Sequence, residues 1–214
     1  MFSTTVKVVR TSDGTFLAAF GEKGHGAGQF YAPSALCLSE SGGRRWLWVG
    51  DDGAHRVQCF DLAHSPPRVM LQLGVTCEAG IYGSPAHVWQ PCGVAAIGGR
   101  LFVAEYGNDR VAVFDEQSGQ RVGQIGGRRG PAPGQLAYPR GIGVDTERDL
   151  LYVSDYGNER VSIFRVAPPF AFVGIVPVKA PCGAAIEASL DAAFAPTVFI
   201  PQFVGQHISL FAGF

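Results

Sequence analysis

Three acid–arginine pairs recur at a spacing of five residues: Asp51/Arg56, Glu105/Arg110 and Asp155/Arg160. A carboxylate and a guanidinium so placed flank one turn and can close it with a bidentate, charge-assisted contact. The same groups could instead bind a metal or a substrate. Their presence in every copy of a recurring segment favours the first role, because what every copy shares is what folding needs. Gly53, Gly107 and Gly157 lie between the partners, where a tight turn is expected to use the positive φ open to glycine. The chain's two asparagines, Asn108 and Asn158, fall in the same turn, where they are expected to bond to its backbone.

Positions that differ between copies are better candidates for recognition. Directly after each acid stand Asp52, Tyr106 and Tyr156, with Phe203 in a degraded fourth copy. Just after a recurring proline stand Ser34, Cys92, Arg140 and Cys182. Tyrosine, arginine and phenylalanine gathered on one rim would make a recognition patch, since aromatic and arginine side chains dominate interface hot spots. Cys92 and Cys182 are soft groups that could hold zinc, yet short turn cysteines commonly do no more than pack. His25, His55, His64, His87 and His207 do not recur in a register that gathers them. No metal and no cofactor is therefore assigned. The glycine-rich stretches at 24–28 and 126–130 each lead into another strand, whereas a phosphate loop needs a helix N-terminus after it.

Composition narrows the class. Of 214 residues, 47% are apolar and only 16% charged, with a net charge of −1. Disorder is excluded by the first figure, and a general attraction to polyanions by the last. No run of about 18 apolar residues is present, so no membrane-spanning helix is expected. The N-terminus lacks a charged segment followed by an apolar stretch, and no CxxC occurs among the five cysteines. A reducing, cytoplasmic setting is the simplest expectation. Glycine, 29 residues, is the outlier, and an internal repeat explains it.

LWVGDDGAHRVQCFD (47–61), LFVAEYGNDRVAVFD (101–115) and LYVSDYGNERVSIFR (151–165) align without gaps. Upstream of each lies a second shared block, opened by Pro33, Pro91 and Pro139, with Pro181 opening the fourth. The residues are β-branched or aromatic and bounded by turn signals, the pattern of short strands. The Arg-Val-x-Val-Phe segment alternates, which predicts a half-buried strand. Each copy thus offers four strands, a to d, the last ending at Phe20-Gly21, Leu73-Gly74, Ile125-Gly126 or Val173-Gly174. Four antiparallel strands per 40–50 residues make a β-propeller blade. The reading gives one all-β domain over 1–214: a c–d half blade at 1–22, blades at 23–74, 75–126 and 127–174, and a degenerate blade at 175–214.

These blocks resemble the NHL repeat, whose pattern reads like GQF-x-x-P-x-G followed by LYVAD-x-x-N-x-RV-x-VF. The third copy matches best, as GQLAYPRGIGVD (134–145) and LYVSDYGNERVSIF (151–164). The resemblance implies a propeller with more blades than this chain supplies, hence an open arc rather than a four-bladed ring closed by strand 16–20. It also implies that d–a and b–c loops share one rim of the channel. An arc would present unpaired edges, so self-association is expected to compete with partner binding. The function expected is a non-catalytic platform that binds a protein partner through this rim. Two alternatives stay open: an RNA-binding surface built on Lys23, Arg128, Arg129 and Arg140, and a metal-dependent lyase or hydrolase.

Overall fold

A computed structural model describes residues 4–10, 12–74 and 87–182, together with the backbone of strands 185–187, 197–201 and 208–212. Seventeen strands are described, and they fall into sheets that follow the repeat. β1 (Val6–Val9) pairs antiparallel with β2 (Phe16–Phe20) in a two-stranded sheet. β3 (Pro33–Ser41), β4 (Arg44–Asp51), β5 (Arg56–Asp61) and β6 (Arg68–Leu73) form the first four-stranded sheet. The second holds β7 (Pro91–Ile97), β8 (Arg100–Glu105), β9 (Arg110–Asp115) and β10 (Arg121–Gly126). The third holds β11 (Pro139–Asp145), β12 (Leu150–Asp155), β13 (Arg160–Arg165) and β14 (Phe172–Pro177). β15 (Ala185–Glu187), β16 (Thr197–Pro201) and β17 (Ile208–Ala212) make a three-stranded sheet. All are sequential antiparallel meanders, the order that short turns between neighbours dictate. No helix among the described residues is long and apolar enough to cross a membrane.

The chain divides into two compact units, 1–91 and 92–214. In the first, Val6 and Phe20 of the two-stranded sheet pack on Leu47, Val49 and Phe60 of the four-stranded one. Phe20 and Phe60 are 5.2 Å apart between centroids, and Phe60 lies 5.8 Å from the fully buried Phe30. In the second unit, Phe102, Val111 and Ile125 of one blade meet Ile142, Val153 and Phe164 of the next in a single apolar layer. The opposite face of that next blade has its own cluster of Tyr152, Val161, Ile163 and Val176. Packing on both faces corrects the half-buried expectation for strand c: Gln58, Ala112 and Ser162, at its polar positions, are fully buried. Gln58 is satisfied by Gly28 N–H and Gln29 C=O, each at 2.9 Å, as burial of an amide requires.

Two further differences follow from local geometry. β14 runs to Pro177, which pairs with Arg160 as Gly126 pairs with Arg110. Gly174 is therefore not the counterpart of Gly126. The connection between β13 and β14 spans 166–171, one residue longer than the 116–120 connection of the preceding blade. In β3, Leu36 and Leu38 stand 56% and 60% exposed, whereas Ile142, at the position of Leu36, lies 8% exposed in the inter-blade layer.

Candidate recognition rim

Each b–c connection is a single 3₁₀ turn: Asp52–Ala54, Tyr106–Asn108 and Tyr156–Asn158. The left-handed residue is not the turn glycine but the one closing the turn. His55, Asp109 and Glu159 hold φ of 55°, 50° and 50°. Gly53 and Gly157 serve close approach instead: a Cβ on Gly157 would lie 3.0 Å from the Ala137 Cβ, and one on Gly53 would lie 2.9 Å from the Ala32 Cβ. The turn is pressed against the loop that leads into its own blade.

The acid–arginine pairs lie under these turns, with Asp51, Glu105 and Asp155 fully buried. Arg110 donates to Glu105 from Nε to Oε2 at 3.1 Å and from Nη2 to Oε1 at 3.2 Å, a bidentate pair. Arg160 Nε lies 2.7 Å from Asp155, and Arg56 Nε lies 3.6 Å from Asp51. The remaining guanidinium donors tie down the leading loop. Arg160 donates to Pro131 C=O at 2.7 Å and Gln135 C=O at 2.9 Å, and Arg56 to Gln29 C=O at 2.8 Å. From the other side, Ala137 N–H donates to Asp155 and Ala32 N–H to Asp51, both at 2.7 Å. Asn108 and Asn158 donate to the carboxylates of Glu105 and Asp155 rather than to their own turn backbone. In the Asp51/Arg56 and Asp155/Arg160 pairs these partners belong to the loop that leads into the same blade.

Above the turns, three of the sequence-derived rim residues come together in the second unit. The Arg140 guanidinium lies 4.3 Å from the Tyr156 ring centroid and 5.3 Å from that of Tyr106. Its Nη1 is 3.9 Å from Cys182 Sγ, so a fourth residue joins. Cys92, the second residue of β7, is half-buried and stands next to Gly93, whose hypothetical Cβ would lie 2.3 Å from Arg140 O. β7 and β11 therefore run in backbone contact where Arg140 starts. Asp52 belongs to the first unit, its N–H bonded to Ala32 C=O at 3.0 Å. Phe203 lies outside the described residues. Among the described residues, no three of His, Cys, Asp and Glu converge to hold a metal ion.

The rim extends through residues that the repeat comparison did not single out. Tyr138 stacks on Tyr106 at 4.9 Å with planes 31° apart. Arg129 lies 4.0 Å over the Tyr138 ring, donates to its hydroxyl at 2.6 Å and pairs with Asp109 at 2.8 Å. That bond to Asp109 pushes the Arg129 guanidinium above its ordinary value. The result is a ladder of alternating planes, Arg129–Tyr138–Tyr106–Arg140–Tyr156. Cation–π contacts of this kind contribute about 0.5–1 kcal/mol each at exposed sites. The missed signal sits just before the proline of strand a, where the copies read Ala32, Gln90, Tyr138 and Ala180. Gln90, Tyr138 and Ala180 hold φ of 50°, 51° and 47°, an unusual state for a residue before proline. In it, the Tyr138 N–H reaches Asp109 at 2.9 Å. The first unit has a smaller analogue, with His25 stacked on Tyr31 at 5.3 Å and Lys23 at 5.4 Å from the same ring.

Residues 136–164 match the family model of the NHL repeat. A comparison with curated proteins finds no match. Among solved structures, the chain is similar to Kuenenia stuttgartiensis hydrazine synthase, 17% identical at a TM-score of 0.55, over 89% of this chain and 51% of that one. It is similar to a chain of the nidogen/laminin complex at 16% identity and a TM-score of 0.55, over 81% and 57%. The computationally designed Ika4 protein gives 9% identity and a TM-score of 0.55, over 90% and 96%. The chain thus spans only about half the length of the first two. At such identities the likeness concerns the fold alone, which is of propeller type. The chain therefore carries an NHL repeat at residues 136–164, set in an array of propeller-type blades.

Proposed function

We propose that this protein is a non-catalytic interaction platform that binds a protein partner through the rim carrying Arg140, Tyr106 and Tyr156. The supporting observation is the guanidinium of Arg140 gathered with two tyrosine rings from successive b–c turns. Rigid aromatic and arginine groups held in place before contact lose little side-chain freedom on binding, which is what makes hot spots. One structural neighbour comes from a nidogen/laminin complex, although others are enzymes, and a propeller fold serves many activities. We also assign the protein to the cytoplasm, a reducing setting in which its cysteines would stay as thiols.

Replacing both tyrosines, Y106A/Y156A, is expected to abolish partner capture while circular dichroism and thermal melting keep their wild-type form. R140Q is expected to do the same. Capture that survives in folded forms of both variants would overturn the proposal. A second reading, self-association, is favoured by the exposed Leu36 and Leu38 of β3. Light scattering on L36S/L38S tests it, with a fall in particle size expected and an unchanged size refuting it.

A further inference from the structure

A groove in the first unit has the make-up of a strand-binding site. Residues 5–7, around the start of β1, face residues 33–36 of β3 across about 390 Å³. One wall is a strand edge. Among the described residues β1 is flanked by β2 alone, and the outer side of such a strand presents backbone N–H and C=O groups for pairing. The other wall carries apolar side chains. Leu36 lies opposite Val49, and Leu38 opposite Leu47, across β3 and β4, so all four share one face of the sheet. Val49 and Leu47 are buried in the layer that holds Val6, while Leu36 and Leu38 stand 56% and 60% exposed. The interface beneath β1 thus continues onto an exposed stretch of β3.

In the second unit the matching position is covered by a strand. There β8 runs against β11. Phe102 and Ala104 of β8 join Ile142 in one apolar layer, with Val144 packed against it, and Ile142 and Val144 stand where β3 has Leu36 and Leu38. β8 also pairs with β9, Phe102 opposite Val113 and Ala104 opposite Val111. Val6 and Val8 are the β1 counterparts of Val111 and Val113, because Val6 pairs with Phe20 as Val111 pairs with Ile125. A strand added to β1 would therefore set a large apolar residue opposite Val8 and a small one opposite Val6, both over β3. The residue between them would lie opposite Lys7, which is exposed, and a cross-strand pair there favours an acid. We propose that the groove takes an extended segment of a partner protein, added antiparallel to β1 with the order large apolar, acidic, small apolar. Pairing of β1 with the β1 of a second copy about a two-fold axis is excluded by shape. Both four-stranded sheets would then lie on one face and compete for the place of β3. This site is separate from the rim.

The test is fluorescence anisotropy on the full chain with the labelled peptide TLFEAT, its lysine counterpart TLFKAT, and two forms of TLFEAT N-methylated on alternate sets of amides. TLFEAT is expected to bind about two- to tenfold more tightly than TLFKAT, and K7E is expected to reverse that order. One N-methylated form is expected to lose binding and the other to keep most of it, because only one set of amides faces β1. L36S/L38S is expected to weaken TLFEAT about tenfold or more through lost apolar burial. All three substituted side chains are exposed, which spares the fold. No binding of TLFEAT, equal binding of TLFEAT and TLFKAT, an order unchanged in K7E, equal tolerance of both methylation patterns, or undiminished affinity in L36S/L38S would each overturn the inference. Smaller particles in L36S/L38S, with TLFEAT unbound by the wild type, would assign the exposed leucines to self-association instead. None of these results involves Arg140, Tyr106 or Tyr156, so the platform reading stands or falls separately.

Discussion

D155A probes the turn scaffold most sharply. Asp155 is fully buried and Arg160 is 8% exposed, and the carboxylate also takes bonds from Ala137 N–H at 2.7 Å and from Asn158. Removing it leaves a buried guanidinium without its counter-ion and an amide without its acceptor. Breaking such a pair from one side costs about 3–5 kcal/mol. With a urea slope of roughly 2 kcal/mol/M, the unfolding midpoint should drop by about 2 M. By contrast, R129A removes a pair whose arginine is 52% exposed, and solvent screening should leave its midpoint close to that of wild type. The double variant D155A/R160M should recover part of the loss, because no charge is then left buried. Urea denaturation followed by circular dichroism reads all three. A D155A protein within 1 kcal/mol of wild type would refute the scaffold reading and return the pair to the candidates for chemistry.

Three further outcomes follow from the same geometry. G157A should destabilise by about 1–3 kcal/mol through overlap with Ala137, while E159G, at φ 50°, should be neutral or stabilising by up to about 1 kcal/mol; the reverse order in melting experiments would place the left-handed residue wrongly. Burial holds the His55 imidazole below its ordinary value of 6.5, against the pull of Asp52 and Asp51, so below pH 6.5 the unfolded chain binds the proton more readily and stability falls as pH falls. H55N, which tolerates the left-handed backbone, should lose that slope between about pH 7 and 5, and parallel curves would refute the assignment. In G93A, a Cβ 2.3 Å from Arg140 O forces β7 and β11 apart, so stability and rim binding should fall together; a folded variant with undiminished binding would show that Arg140 does not depend on this contact.

The repeat was legible because each blade meets the same demands. The buried carboxylate under the turn, the apolar b and c strands and the proline opening strand a recur since each satisfies a local requirement repeated in every copy. What escaped lies between copies. The ladder joins Tyr106 of one blade to Tyr138 and Arg140 of the next, and no single-copy pattern marks residues that meet across a blade boundary. Tyr138 also depends on a left-handed backbone before a proline, a state that residue type does not announce. The turn glycines were misjudged for a related reason. Gly53 and Gly157 are required by a loop some twenty residues earlier in the chain, not by their own torsion angles.

The central claim is that the b–c rim, rather than the opposite end of the blades, meets the partner. Site-specific photo-crosslinking separates them most directly, with a benzophenone side chain placed at Tyr156 or at Ser118, in the connection from β9 to β10 at the far end of the strands. The account predicts partner adducts from position 156 that disappear in R140Q, and none from position 118. Adducts from position 118, or adducts from 156 that persist in folded R140Q, would contradict it.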